Sequence, residues 1–192
     1  MGQAIDVARF FLKLAAGEPE PEYLSHMRLQ KLLYYAQAWS LTLRGKPLFT
    51  SAIEAWVHGP VVRAVYPQFA DYGDSPIPFH EASAADGLND DDKALIESVW
   101  RGYRRFSATQ LRRMTHRERP WLEARTGCGS DESSQAEIPH EAIRRYFTQV
   151  YERKNPFQGL ALKSIRAAGE QFRSGARGMR LDDALKKLKN AV

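Results

Sequence analysis

The sequence holds one cysteine, Cys128, in 192 residues. That excludes an internal disulfide and any cysteine-based metal cluster, and it makes a reducing cytoplasm the expected compartment. No stretch approaches the ~18 consecutive apolar residues that span a bilayer. The first residues show no basic segment leading into an apolar run, so no secretory signal is expected. Phosphate-cradling glycine loops of the Gly-x-Gly-x-x-Gly or Gly-x-x-x-x-Gly-Lys-Ser/Thr kind are missing, as is a Gly-x-Ser-x-Gly nucleophile elbow. No repeat period is present.

What is there suits a globular chain: 43% hydrophobic and 27% charged residues, with four Trp, eight Tyr and nine Phe. The formal net charge of +5 is unevenly placed. Residues 160–192 carry Lys163, Arg166, Arg173, Arg177, Arg180, Lys186, Lys187 and Lys189 against Glu170, Asp182 and Asp183, which accounts for the whole excess. The body of the chain is formally neutral, and the basicity belongs to the tail. Two units are therefore expected: a domain over residues 1–159 and a basic extension over 160–192.

Periodicity predicts a mainly helical, all-α domain with one minor extended segment. Ile5, Ala8, Leu12 and Ala15 recur at helical spacing before Gly17 and the Glu18-Pro19-Glu20-Pro21 run. Ser25 is a candidate N-cap for a helix running to about Arg44 and closed by Gly45. Leu29, Leu32, Leu33 and Ala36 line one face, and Tyr34, Tyr35, Ala38, Trp39 and Leu41 widen it until the helix is apolar almost all round. Such a helix belongs at the centre of a fold. Residues 53–57 alternate as a short extended segment, after which His58-Gly59-Pro60 turns the chain and Pro60 is expected to open a helix to about Phe69. Residues 71–92 read as a surface loop. Asp90, Asp91 and Asp92 open a helix that Arg101, Arg104 and Arg105 close. Ser107 with Gln110 predicts a capping box for a short helix. Residues 126–137 read as a polar, mobile loop, and Pro139 as the start of a helix with Ile143, Phe147, Val150 and Tyr151 inward.

The five histidines, His26, His58, His80, His116 and His140, have no metal-ligand spacing. No catalytic residue, metal or cofactor is expected. A dispersed site assembled from distant positions remains one alternative, which would show as a pocket holding convergent polar groups with shifted pKa values. A second alternative is a DNA-binding regulator using the basic tail, because phosphate contacts need clustered Lys and Arg. Neither a helix-turn-helix pattern nor an RNA-binding aromatic motif supports that reading.

Three segments carry a family resemblance. They are Met27-Arg28-Leu29-Gln30-Lys31-Leu32-Leu33-Tyr34-Tyr35-Ala36, then Ile53-Glu54-Ala55-Trp56-Val57-His58-Gly59-Pro60-Val61-Val62 followed by Tyr66, then Leu111 to Trp121 with Met114-Thr115-His116 and Pro120. In this order, over about residues 4–155, the chain resembles the Panacea domain, the antitoxin family that includes the SocA-like proteins and was first catalogued in large part as a phage-associated domain. The resemblance implies a compact helical fold that neutralises a cognate toxin protein by stoichiometric binding, without a catalytic residue. Some SocA-like members are also adaptors that deliver their toxin to the ClpXP protease, an activity carried here as an open extension.

The motif residues divide by chemistry. Leu29, Leu32, Leu33, Trp56, Pro120 and Trp121 read as packing groups, and Gly59-Pro60 as backbone punctuation; each buried Leu is worth about 1.5–3 kcal/mol. Gln30, Glu54 and His116 read as a buried polar network. Lys31, His58, Arg63 and Arg117 serve such a network or a partner surface equally, and with Tyr35 they are the candidate partner contacts of the domain. In the tail, Phe172, Leu181, Leu185 and Leu188 are candidate partner contacts too, as residues that order on the toxin or pack back on the domain.

Overall fold

The computed structural model describes residues 3–20, 23–82 and 87–154. The 159/160 boundary and the tail residues Phe172, Leu181, Leu185 and Leu188 lie outside the described residues. The elements are α1 (Ala4–Ala16), α2 (His26–Arg44), β1 (Ile53–Trp56), β2 (Gly59–Val62), α3 (Tyr66–Phe69), α4 (Asp90–Tyr103), α5 (Ala108–Thr115), α6 (Arg119–Ala124) and α7 (His140–Lys154), with single 3₁₀ turns at Ala70–Tyr72 and Phe79–Ala82. The described part is a mainly helical fold with one small sheet.

Helix α2 is the axle. Ser25 Oγ accepts from the Arg28 N–H at its start, and Gly45 closes it in the left-handed conformation at φ 68°. It packs against α1, α4, α5, α7 and β2, which is why residues 29–42 are buried on every side. Burial on all sides forces its polar groups to find partners. Gln37 meets that demand in full: its amide donates to the Phe49 carbonyl at 2.8 Å and to His140 Nε2 at 2.8 Å, and its oxygen accepts from the Leu48 and Phe49 N–H groups. The loop after α2 is thereby stapled back onto its own helix. An aromatic block fills the space between α2, α4 and α7. Tyr35 stacks on Tyr103 with centroids 4.2 Å apart, Trp39 Nε1 donates to the Tyr103 hydroxyl at 3.1 Å, and Phe147 meets Tyr34, Tyr35 and Trp39 edge-on.

Helix starts follow local signals. Asn89 Oδ1 accepts from the Asp92 N–H to cap α4, and Ser107 with Gln110 forms the reciprocal capping box of α5. Asp92 is itself buried and pairs with Arg44 at 2.7 Å, tying the start of α4 to the end of α2.

The structure corrects the chain path after the turn. Pro60 does not open a helix. Residues 59–62 form β2, which returns antiparallel on β1 with Ala55 opposite Pro60 and Trp56 opposite Gly59 across a two-residue turn. A proline is tolerated there because Ala55 points its own N–H away from β2, to the Ala136 carbonyl at 2.8 Å, so no ladder bond is lost at Pro60. Only the four-residue α3 follows. The 71–92 loop is partly anchored, with Ile77 and Leu88 buried and the Ile77 N–H bonded to the Leu24 carbonyl. The 126–137 segment is pinned as well. Ala136 and Ile138 bond to β1, and Arg125 donates to the carbonyls of Ala55, Gly129 and Glu132 at 3.0, 2.9 and 2.6 Å.

Candidate functional site

The N-terminal half of α2, the β1–β2 hairpin, α3 and residues 133–135 enclose a cleft of about 540 Å³. Its base and much of its wall come from the first two resemblance-bearing segments. Gln30 and Lys31 supply the base, Trp56, Val57, His58 and Val61 one side, and His26, Met27 and Tyr66 the other. The aromatic side is continuous: Tyr66 lies 4.6 Å from both the Trp56 and the His26 rings.

Two α2 side chains make the cleft by seizing the outer edge of β2. Gln30 Oε1 accepts from the Val62 N–H at 2.8 Å, and Lys31 Nζ donates to the Pro60 carbonyl at 2.9 Å. The first bond fixes which end of the Gln30 amide is oxygen, so its NH₂ donates to His26 Nε2 at 3.1 Å and His26 carries its proton on Nδ1. Burial drives the His26 pKa down to about 4, and the nearby Lys31 charge adds to the effect. His26 is therefore neutral at pH 7.

Behind the hairpin, α5 and α6 supply a second polar layer. His116 stacks on Trp121 with centroids 4.1 Å apart, and Trp121 Nε1 donates to the Trp56 carbonyl at 2.9 Å, fastening α6 to the hairpin turn. Arg125 lies over the same indole ring. Desolvation lowers the His116 pKa to about 4, helped by the charges of Arg112, Lys31, His58 and Arg125. Glu118 is buried and accepts from the Tyr35 hydroxyl at 2.9 Å. Desolvation pushes its pKa up to about 8, outweighing the Tyr35 and Tyr34 hydroxyls that favour the ionised form. Lys31, almost fully enclosed, is pulled down to about 7 by burial first and by Arg112 second.

The expected partner contacts do not all reach a surface. Tyr35 is a correction: it is wholly interior, locked between Glu118 and Tyr103. Lys31 also lies inside, although it lines the cleft. His58 is exposed at the hairpin turn, on the cleft rim. Arg63 is half-exposed, 3.7 Å from Glu54 and over the Trp56 ring. Arg117 is exposed beyond α5 and does not line the cleft. Among the residues expected to be structural, Leu29, Leu32 and Leu33 are core, Pro120 is buried in the first turn of α6, and Glu54 accepts from Trp56 Nε1 at 2.6 Å. His26, Tyr66, Glu118 and Arg125 were not singled out for the site. Tyr66 had a signal, since it follows closely on the second motif; Glu118 and Arg125 had none, because their partners are remote in sequence.

Gly59 is forced twice over. Its φ of 94° suits glycine, and a Cβ there would stand 2.8 Å from both Lys31 Cε and Thr115 Oγ1. This close approach lets α2, α5 and the hairpin meet at one point.

The cleft does hold convergent polar groups with shifted pKa values, the mark set above for a dispersed catalytic site. Among the described residues, however, no serine hydroxyl is bonded to a histidine, and no group of three or more His, Cys, Asp or Glu side chains is placed to hold a metal ion. The described residues include no helix long and apolar enough to cross a membrane.

Comparison with known proteins agrees with the motif reading. A family model described as "Antitoxin SocA-like, Panacea domain" matches residues 29–122, which takes in most of the first motif and all of the second and third. The chain is 33% identical over 144 residues to antitoxin SocA of Caulobacter vibrioides (strain NA1000 / CB15N), a match covering 67% of this chain and 75% of that protein. No solved structure matches. The matched stretch holds the hairpin, α3 and most of α2, while the cleft residues His26, Met27 and 133–135 lie outside it; the chain belongs to the SocA-like, Panacea-domain antitoxin family.

Proposed function

We propose that this chain is the antitoxin of a toxin–antitoxin pair and neutralises a cognate toxin protein by direct stoichiometric binding. Family membership carries the reading. The architecture supports it: Gln30 and Lys31 hold the hairpin against α2, and Trp121 fastens α6 to its turn, which yields a rigid, shaped face. A rigid face loses little freedom on binding, so more of its contact energy appears as affinity. The toxin is occluded and no bond is made or broken. Coexpression tests this. The product of the adjacent gene should arrest growth alone, this chain should relieve the arrest, and the two should copurify at a fixed ratio. A harmless neighbour that forms no complex ends the reading.

A second reading draws on one observation, the eight basic residues of 160–192. Operator binding through that segment would weaken steeply with salt and vanish when 160–192 is deleted. Toxin neutralisation that survives the same deletion assigns binding to the described domain.

A further inference from the structure

We infer that the cleft is a receptor for one carboxylate side chain of the protein partner, seated on the Lys31 ammonium while a neighbouring apolar side chain of the partner lies against Trp56 and Tyr66. That partner's identity as the toxin rests on the neutralisation reading; the site chemistry does not.

The first ground is an imbalance of charge. Lys31 is 1% exposed and lines the cleft, yet among the described residues its one hydrogen-bond acceptor is the Pro60 carbonyl, which leaves most of an ammonium's three donors unused. The charge that acts on it, Arg112, is of its own sign, and the neighbouring histidines feel only cations. Arg112 acts on Lys31, Lys31 acts on His26 and His116, and His116 also feels His58 and Arg125. Among the described residues no anion is bonded to this amine; burial without one pulls its pKa down to about 7, and an anion arriving with good geometry restores the ammonium and recovers that cost.

The second ground is the position of the local acids. Asp74 lines the rim. Glu54 is engaged by Trp56 Nε1 and faces Arg63. Glu118 is turned to Tyr35, and burial keeps it largely protonated near neutral pH. None of these is bonded to Lys31.

The third ground is shape. The Lys31 stem lies against Gly59 and its Nζ is anchored on the Pro60 carbonyl, so the ammonium is held in place before anything binds. The aromatic side presents the faces of Trp56 and Tyr66, and Met27 adds an adaptable apolar surface. About 540 Å³ holds a pair of side chains. A phosphate backbone needs an open basic track rather than a walled recess, which favours a carboxylate of a protein partner over nucleic acid.

Two capped tetrapeptides, acetyl-Ala-Glu-Phe-Ala-amide and its Gln counterpart, are titrated into the full chain and followed by amide NMR. The Glu peptide should bind at least about tenfold more tightly, which corresponds to about 1.4 kcal/mol. Its shifts should fall on the Gln30, Trp56 and Val61 amides, and sodium acetate should displace it. In Lys31→Met the two peptides should bind alike. Equal affinities for the natural chain, a preference that survives Lys31→Met, or displacement by inorganic phosphate but not by acetate would each overturn the assignment. Should Lys31→Met not fold, the affinity ratio and the two displacement arms decide on the natural chain. The peptides do not involve the toxin. Equal affinities remove the carboxylate site and leave neutralisation standing, whereas a Glu preference beside a harmless neighbouring gene product keeps the site and removes the toxin as its occupant.

Discussion

Replacing Gly59 by alanine adds one methyl group at the point where α2, α5 and the hairpin meet. Two costs follow, and they separate. The first is conformational: holding a side chain at φ 94° costs about 1–2 kcal/mol. The second is crowding, because the new Cβ falls 2.8 Å from Lys31 Cε and 2.8 Å from Thr115 Oγ1. Thr115 is buried and the Lys31 stem is enclosed, so relief requires the hairpin to move, at a further cost of about 1–3 kcal/mol. A natural control exists in Gly127, whose φ is 88° and around which an added Cβ meets nothing within 4 Å. Gly127→Ala therefore reports the conformational cost alone. Gly59→Ala should lose about 3 kcal/mol in total, lowering Tm by about 6–12 °C for a chain of this size, and Gly127→Ala about half of that or less. Urea and thermal unfolding of both variants measure the difference. If the two lose the same stability, the contact with Lys31 and Thr115 is not tight, and the account of how the hairpin is seated is wrong.

Two further outcomes follow from buried charge. Glu118 binds its proton more tightly folded, at about 8, than unfolded, near 4.5, so the stability it contributes is lost as pH rises between those values, at up to about 1.4 kcal/mol per pH unit. Glu118→Gln removes that dependence, so between pH 5 and 8 its unfolding free energy should gain at least about 2 kcal/mol on the natural chain. Taking the difference between the two proteins cancels the opposed slopes of His26 and His116 below pH 6.5 and of Lys31 above about 7; a difference that is flat with pH refutes the assignment. Asp92→Ala strands the Arg44 guanidinium and should cost about 3 kcal/mol by urea unfolding, and a loss under about 1 kcal/mol would show the pair to be ordinary surface charge.

What could be read without the structure was what is local. The α2 boundaries at Ser25 and Gly45, the Ser107–Gln110 box and the inward residues Ile143, Phe147 and Tyr151 depend on residues three or four apart and are where periodicity put them, while Val150, expected in the same row, is only part-buried. Tyr35 was legible but misread. A helix apolar all round is buried all round, so a tyrosine on it belongs inside. The hairpin was not legible, because Gly-Pro after a short extended run reads equally as a turn into a helix. What selects β2 is the pair Gln30 and Lys31, about thirty residues upstream, supplying the acceptor and donor that its outer edge needs. Glu118 and Arg125 were missed for the same reason: Tyr35 and Ala55 lie far from them in sequence.

The closure of the hairpin has a consequence for recognition. On one margin the outward groups of Pro60 and Val62 are consumed by Lys31, Gln30 and the Val65 N–H; on the other, Ala136 and Arg125 consume those of Ala55, and Ile138 takes the Ile53 carbonyl. Among the described residues, these bonds leave little on either flank to template an incoming strand. A partner arriving here is sorted by the contours and charges of side chains, a code that drifts by single substitutions while the backbone frame beneath it stays fixed.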